Sequence, residues 1–73
     1  MVSQSTERVA AEIRAEMGRQ KMTTRDLAKL LGWPVMNISR RVNGQQKLTL
    51  DDIVTIATAL DRPISQFVPE LVA

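Results

Sequence analysis

Seventy-three residues leave room for one small core and no second domain, since a chain this short buries only ~60% of its unfolded surface on folding. Cysteine and histidine are both absent, which excludes a disulfide framework and a zinc site built from those ligands, so packing of aliphatic side chains must hold the fold. The net charge of +2 conceals an asymmetry. Between positions 19 and 47 lie Arg19, Lys21, Arg25, Lys29, Arg40, Arg41 and Lys47 against Asp26 alone, while Glu7, Glu12, Glu16, Asp51, Asp52, Asp61 and Glu70 outnumber Arg8, Arg14 and Arg62 elsewhere. A basic middle with acidic flanks suits a surface that meets a polyanion, although a merely solvated basic face has the same composition. No uncharged stretch approaches the ~20 apolar residues that cross a bilayer. Glu7, Arg8, Glu12 and Arg14 also interrupt any apolar run of the kind a signal peptide needs, so a cytoplasmic protein with no membrane partner is expected.

Five short helices fit between the breaks. The first is predicted over residues 6–17, where Val9, Ile13 and Met17 recur at the four-residue spacing of one helical face with Ala10 beside them; Glu7, Arg8, Glu12 and Arg14 point elsewhere, and Gly18 suits the C-terminal cap. The second opens at Thr24, with Thr23 as N-cap and Asp26 as its reciprocal partner three residues on. It buries Leu27, Ala28 and Leu31, and Gly32 ends it. Pro34 has no N–H to donate and a preset backbone angle, so a third helix begins there and runs over about 35–42. Ile38 and Val42 form its inner stripe, and Asn43-Gly44 stops it. Thr49 and Asp52 repeat the capping pattern for a fourth helix whose apolar face is expected to be Leu50, Ile53, Val54, Ala57 and Leu60. Pro63 opens a last short helix carrying Ile64 and Phe67, limited by Pro69. Alternation of apolar and polar residues never persists long enough for a strand, so the fold class is all-α.

The segment from Thr24 to Gly44 carries the functional signal. A small residue at Ala28, Gly32 four positions later and an apolar residue at Ile38 describe two helices crossing closely around a tight turn, where a larger side chain would force them apart. That is a helix-turn-helix built from the second and third helices. At this point the chain resembles the phage-repressor and Cro family, also called the XRE family, over nearly its whole length: an amphipathic first helix, TRDLAKLLG, WPVMNISRRVNG, LTLDDIVTIATAL and a closing PISQF. The relatives commonly open the second helix with Gln and the third with Ser or Thr, where this chain has Thr24 and Pro34, and they carry a smaller apolar residue in place of Trp33.

The resemblance implies a lambda-repressor-like domain that sets the start of its third helix against base edges, which here means Val35, Met36, Asn37 and Arg40. Asn37 can bond adenine and Arg40 guanine in bidentate fashion, and Val35 and Met36 can meet a thymine methyl group. Phosphate binding is open to Arg40 as well, and packing over the neighbouring helix to Met36. Near the sugar-phosphate backbone the resemblance places Thr24, Arg25, Asn43, Gln46 and Lys47, with Ser39, Arg41 and Lys29 as further DNA contacts. Two other roles are open: Lys29 as a solubilising side chain, and Arg41 as the partner of an acidic residue. Trp33 either caps the core or stacks near DNA. Amides at the start of the second helix add positive potential toward the same phosphate.

With no His or Cys and no Gly-rich loop after a strand, nothing here fits the templates of catalysis, and no cofactor is expected. The expected partner is an operator in double-stranded DNA. A two-turn helix reads only about 4–6 base pairs, so two half-sites and a homodimer, at least on DNA, are expected. A transcriptional repressor of phage or bacterial type comes first, then an antitoxin-type autorepressor, then a module that binds a protein partner. Residues 6–68 are expected to be structured. The apolar tail 69–73 is left as a dimer contact, a completion of the core, or the stub of a linker to a further C-terminal domain.

Overall fold

The computed structural model describes residues 4–72, among which lie four α-helices, α1 (Gln4–Arg19), α2 (Thr24–Leu31), α3 (Val35–Val42) and α4 (Leu50–Ala59), followed by two 3-10 turns, Ile64–Gln66 and Pro69–Val72. The all-α expectation holds, but the fifth helix shortens to a 3-10 turn. Pro63 and Pro69 bracket a segment too short to close a run of α-type bonds, and the amides of Gln66 and Phe67 bond three residues back instead. Ala73, the end of the tail, lies outside the described residues.

Helix starts follow the sequence closely. Thr23 Oγ1 accepts from the Asp26 amide at 3.0 Å while Asp26 Oδ2 accepts from the Thr23 amide at 2.9 Å, and Thr49 and Asp52 repeat the arrangement at 3.0 and 3.1 Å. Helix ends share one device that the sequence shows only in part. After each of the four α-helices a residue turns left-handed, at φ 54° for Lys21, 68° for Gly32, 72° for Gly44 and 57° for Asp61. The following amide then reaches back six residues inclusive, as in Met22 N to Met17 O at 2.8 Å, Trp33 N to Ala28 O at 3.1 Å, Gln45 N to Arg40 O at 2.8 Å and Arg62 N to Ala57 O at 3.0 Å. Gly18 is therefore not the cap of α1: the helix continues through it to Arg19, and Lys21 takes the left-handed position. A Cβ in that region costs about 1–2 kcal/mol, partly offset by the extra freedom glycine has when unfolded. Lys21→Gly should accordingly raise stability by about 0.5–1 kcal/mol in urea denaturation, and an unchanged or lower midpoint would contradict this cap.

Val9, Ala10, Ile13 and Met17 from α1, Leu27 and Ala28 from α2, Ile38 and Val42 from α3, Ile53, Ile56 and Ala57 from α4, with Leu48, Leu60 and Phe67, make the core. Two residues assigned to the α4 face are outside it: Leu50 is 54% exposed and Val54 44%. Ile56 takes that inward place, because the buried arc of α4 is centred between Ile53 and Ile56 rather than on Leu50.

Polar ties lock the ends together. Arg14 Nη1 donates to the Val42 carbonyl at 2.6 Å, closing the C-terminus of α3 from α1. The buried Glu16 carboxylate accepts from Gln20 Nε2 at 2.8 Å and Gln66 Nε2 at 2.7 Å, and Gln20 also donates to the Leu60 carbonyl at 2.7 Å. Arg8 Nη2 donates to both Glu70 oxygens at 2.8 and 2.7 Å, joining α1 to the last turn.

The bonds from Gln20 and then Gln66, helped by Arg19 and Arg62, hold the Glu16 carboxyl below the ordinary glutamate value of 4.5 against the opposing effect of burial. The unfolded chain thus binds this proton more readily. The contribution to stability is complete above the unfolded value and is lost as pH falls through the lower, folded one. Melting temperature should decline as pH drops below 4.5, and the deficit of Glu16→Gln at neutral pH should narrow on the way down. A deficit that is constant with pH would rule out this carboxylate as a source of the acid response.

Candidate nucleic-acid interface

α2 and α3 meet where the sequence permits closest approach. α2 and α3 are in contact, Ala28 and Ile38 are both buried, and Gly32 supplies the left-handed corner between the two helices. α3 is only eight residues long, so its two buried side chains, Ile38 and Val42, leave the rest of its surface available. Val35 is 41% exposed and Met36 60%, Arg40 is exposed, and Asn37 is half-buried with its carbonyl engaged by Arg41 Nη1 at 3.0 Å. Met36 and Arg40 stand one helical turn apart on the outer side. The exposure of Met36 sets aside burial under a neighbouring helix.

Around α3 the remaining candidates divide. Arg25 and Lys29 of α2 and Val35 of α3 border one hollow together with Gly32 and Trp33. Thr24 and Asn43 border another, between the C-terminus of α1 and the N-terminus of α2. Ser39 is tied to Asn43 by a side-chain bond of 3.2 Å. Gln46 is half-buried and Lys47 exposed in the segment that leads from α3 to α4. Asp26 sits in the first turn of α2 and answers part of that helix's dipole internally; its bonds to Thr23, from the backbone first and then the side chain, hold its carboxyl below the usual range.

The ten cations fall into two groups. Arg8, Arg14, Arg19, Arg41 and Arg62 all donate hydrogen bonds within the protein. Lys21, Arg25, Lys29, Arg40 and Lys47 are exposed, and none of their side chains hydrogen-bonds or forms an ion pair with a described residue. Among the described residues, every cationic side chain without a hydrogen bond or ion pair therefore lies on α2, on α3 or in the segments beside them, while the acidic flanks absorb most of the others.

Arg41 is turned inward. Its guanidinium lies 5.1 Å over the Trp33 ring, and its Nε is 3.3 Å from Asp52 Oδ2, in an ion pair off the line of a hydrogen bond. Trp33 packs against the core from the turn. Sequence reasoning did not find the Arg14 bond or the Glu16 network, because the Val42 carbonyl lies 28 positions from Arg14 and Gln66 lies 50 from Glu16, although Arg19 and Gln20 stand at local helical spacing from Glu16.

Among the described residues no helix is long and apolar enough to cross a membrane, and no group of acidic side chains is placed to hold a metal. No curated protein and no solved structure gives a significant match. A family model described as helix-turn-helix matches residues 12–67, which takes in α2, α3 and α4 whole and the second half of α1. The chain therefore belongs to the XRE/Cro-type helix-turn-helix family and is a DNA-binding domain.

Proposed function

We propose that the chain is a transcriptional repressor that reads a short operator with α3 and binds as a homodimer, at least on DNA. One observation carries this: the five exposed cationic side chains that form no hydrogen bond or ion pair with a described residue all lie between positions 21 and 47. Phosphate neutralisation by Arg25, Lys29 and Lys47 would set the register. Val35, Met36, Asn37 and Arg40 would then meet base edges, with Thr24, Asn43 and Gln46 adding backbone contacts and Ser39 supporting Asn43. Half-sites about one helical turn apart would give a two-turn helix useful specificity.

A second reading, an antitoxin-type autorepressor that also holds a protein partner, draws support from Leu50 and Val54, one turn apart and both exposed on α4. The test is selection from a random pool of duplex DNA at several salt concentrations. Recovery of a motif with paired half-sites, and affinity falling steeply with salt, is the expected result. No enrichment and no salt dependence would sink the repressor reading and leave the protein partner.

A further inference from the structure

The second helix of the pair buries only two of its side chains. Ile38 and Val42 lie along one stripe, and two side chains on a single line fix where a helix sits better than how far it is rolled. Arg41 adds a hold on the flank, about 60–100° away from that stripe. Three contacts converge on it: the Trp33 face at 5.1 Å, Asp52 Oδ2 at 3.3 Å and the Asn37 carbonyl at 3.0 Å. Both members of the ion pair are largely enclosed, at 16% and 15% side-chain exposure. Asp52 is itself fixed, because the same Oδ2 accepts from the Thr49 amide at 3.1 Å in the capping box of α4. The guanidinium is thus clamped between the turn before α3 and the first turn of α4.

We propose that Arg41, held between Trp33 and Asp52, is a positioning residue that sets the roll of α3, and so controls which bases are read, without contacting DNA itself. This rests on the DNA-binding reading of α3. Arg40 is adjacent in sequence and points about 100° away, so an inward Arg41 directs Arg40 and Met36 outward. A planar guanidinium can stack on an indole while its edge faces a carboxylate, whereas an ammonium is a point charge. The nature of the cation therefore separates this role from a phosphate contact, which a lysine would serve.

The experiment compares wild type, Arg41→Lys, Arg41→Met and Trp33→Leu on a duplex carrying the selected motif and on one without it, over a range of salt, with the melting temperature of each. The three variants are expected to lose about tenfold or more on the motif duplex, to bind the other duplex as wild type does, and to keep the wild-type salt slope. Emission from Trp33 should also change in the two Arg41 variants without DNA, since it is the only tryptophan. Full binding by Arg41→Lys, or an equal loss on both duplexes with a shallower salt slope, would make Arg41 a phosphate contact and overturn the proposal. A lowered melting temperature with motif preference intact would overturn it too. Wild type that binds neither duplex would instead bring down the DNA reading, and this proposal with it.

Discussion

Ile38→Ala should lower the thermal midpoint by about 10–30 °C, the equivalent of about 2–5 kcal/mol in a domain of this size. The side chain is fully buried, and it is one of the two buried side chains of α3. Removing it forfeits the transfer free energy of its methyl and methylene groups. It also leaves a void between α2 and α3 that their short, capped geometry has little freedom to close. A domain of this length has about 4–11 kcal/mol in total, so the substitution takes away a large share. Ile38→Val, which deletes one methylene group, should cost about 0.5–1.5 kcal/mol. Circular dichroism melts of the three proteins check this, and a loss below about 1 kcal/mol for Ile38→Ala would mean that α3 is held by something other than this contact.

That dependence on a few side chains explains which parts of the fold were legible beforehand. Local signals carried well: Thr23 with Asp26 and Thr49 with Asp52 marked two helix starts, and Gly32 and Gly44 marked two ends. Both capping boxes are three-residue patterns, and glycine tolerates the left-handed angle at no steric cost. Lys21 adopts the same angle against its preference, and Asp61 as one of the few non-glycine types that visit it, because the backbone bond that closes each helix decides the conformation there. No residue type announces this. The assignment of Leu50 and Val54 to the core failed for a related reason: a ten-residue helix with apolar residues on more than half its circumference does not say which arc faces inward.

The site was legible as a segment and less so as a set of roles. Pro34, the Ile38–Val42 stripe and Asn43-Gly44 bounded the third helix at Val35–Val42, where it is found. Those signals did not distinguish Arg40 from its neighbour Arg41, two identical side chains of which the fold leaves one exposed and turns the other inward. Trp33 and Asp52 account for the difference, one eight positions before Arg41 and the other eleven after it. A charge count treats both arginines alike; only the packing of the turn and α4 against α3 separates them.

Arg40→Ala is therefore the sharpest test of base reading. Its side chain is exposed and forms no hydrogen bond or ion pair with a described residue, so its removal should leave the melting temperature unchanged. Affinity for the selected motif should fall by about 5- to 150-fold, corresponding to the roughly 1–3 kcal/mol of a bidentate contact to guanine. The variant should also tolerate substitution at one base-pair position of the motif while remaining selective at the others. If Arg40 instead binds a phosphate, affinity should drop for every sequence alike and the salt slope should diminish by about one unit, with selectivity intact. Equilibrium titrations on the motif, its single-base variants and an unrelated duplex separate the two outcomes. Direct base reading predicts that the loss depends on which base is present, because a positive charge near a phosphate responds to the backbone and a guanidinium fork responds to the edge of guanine.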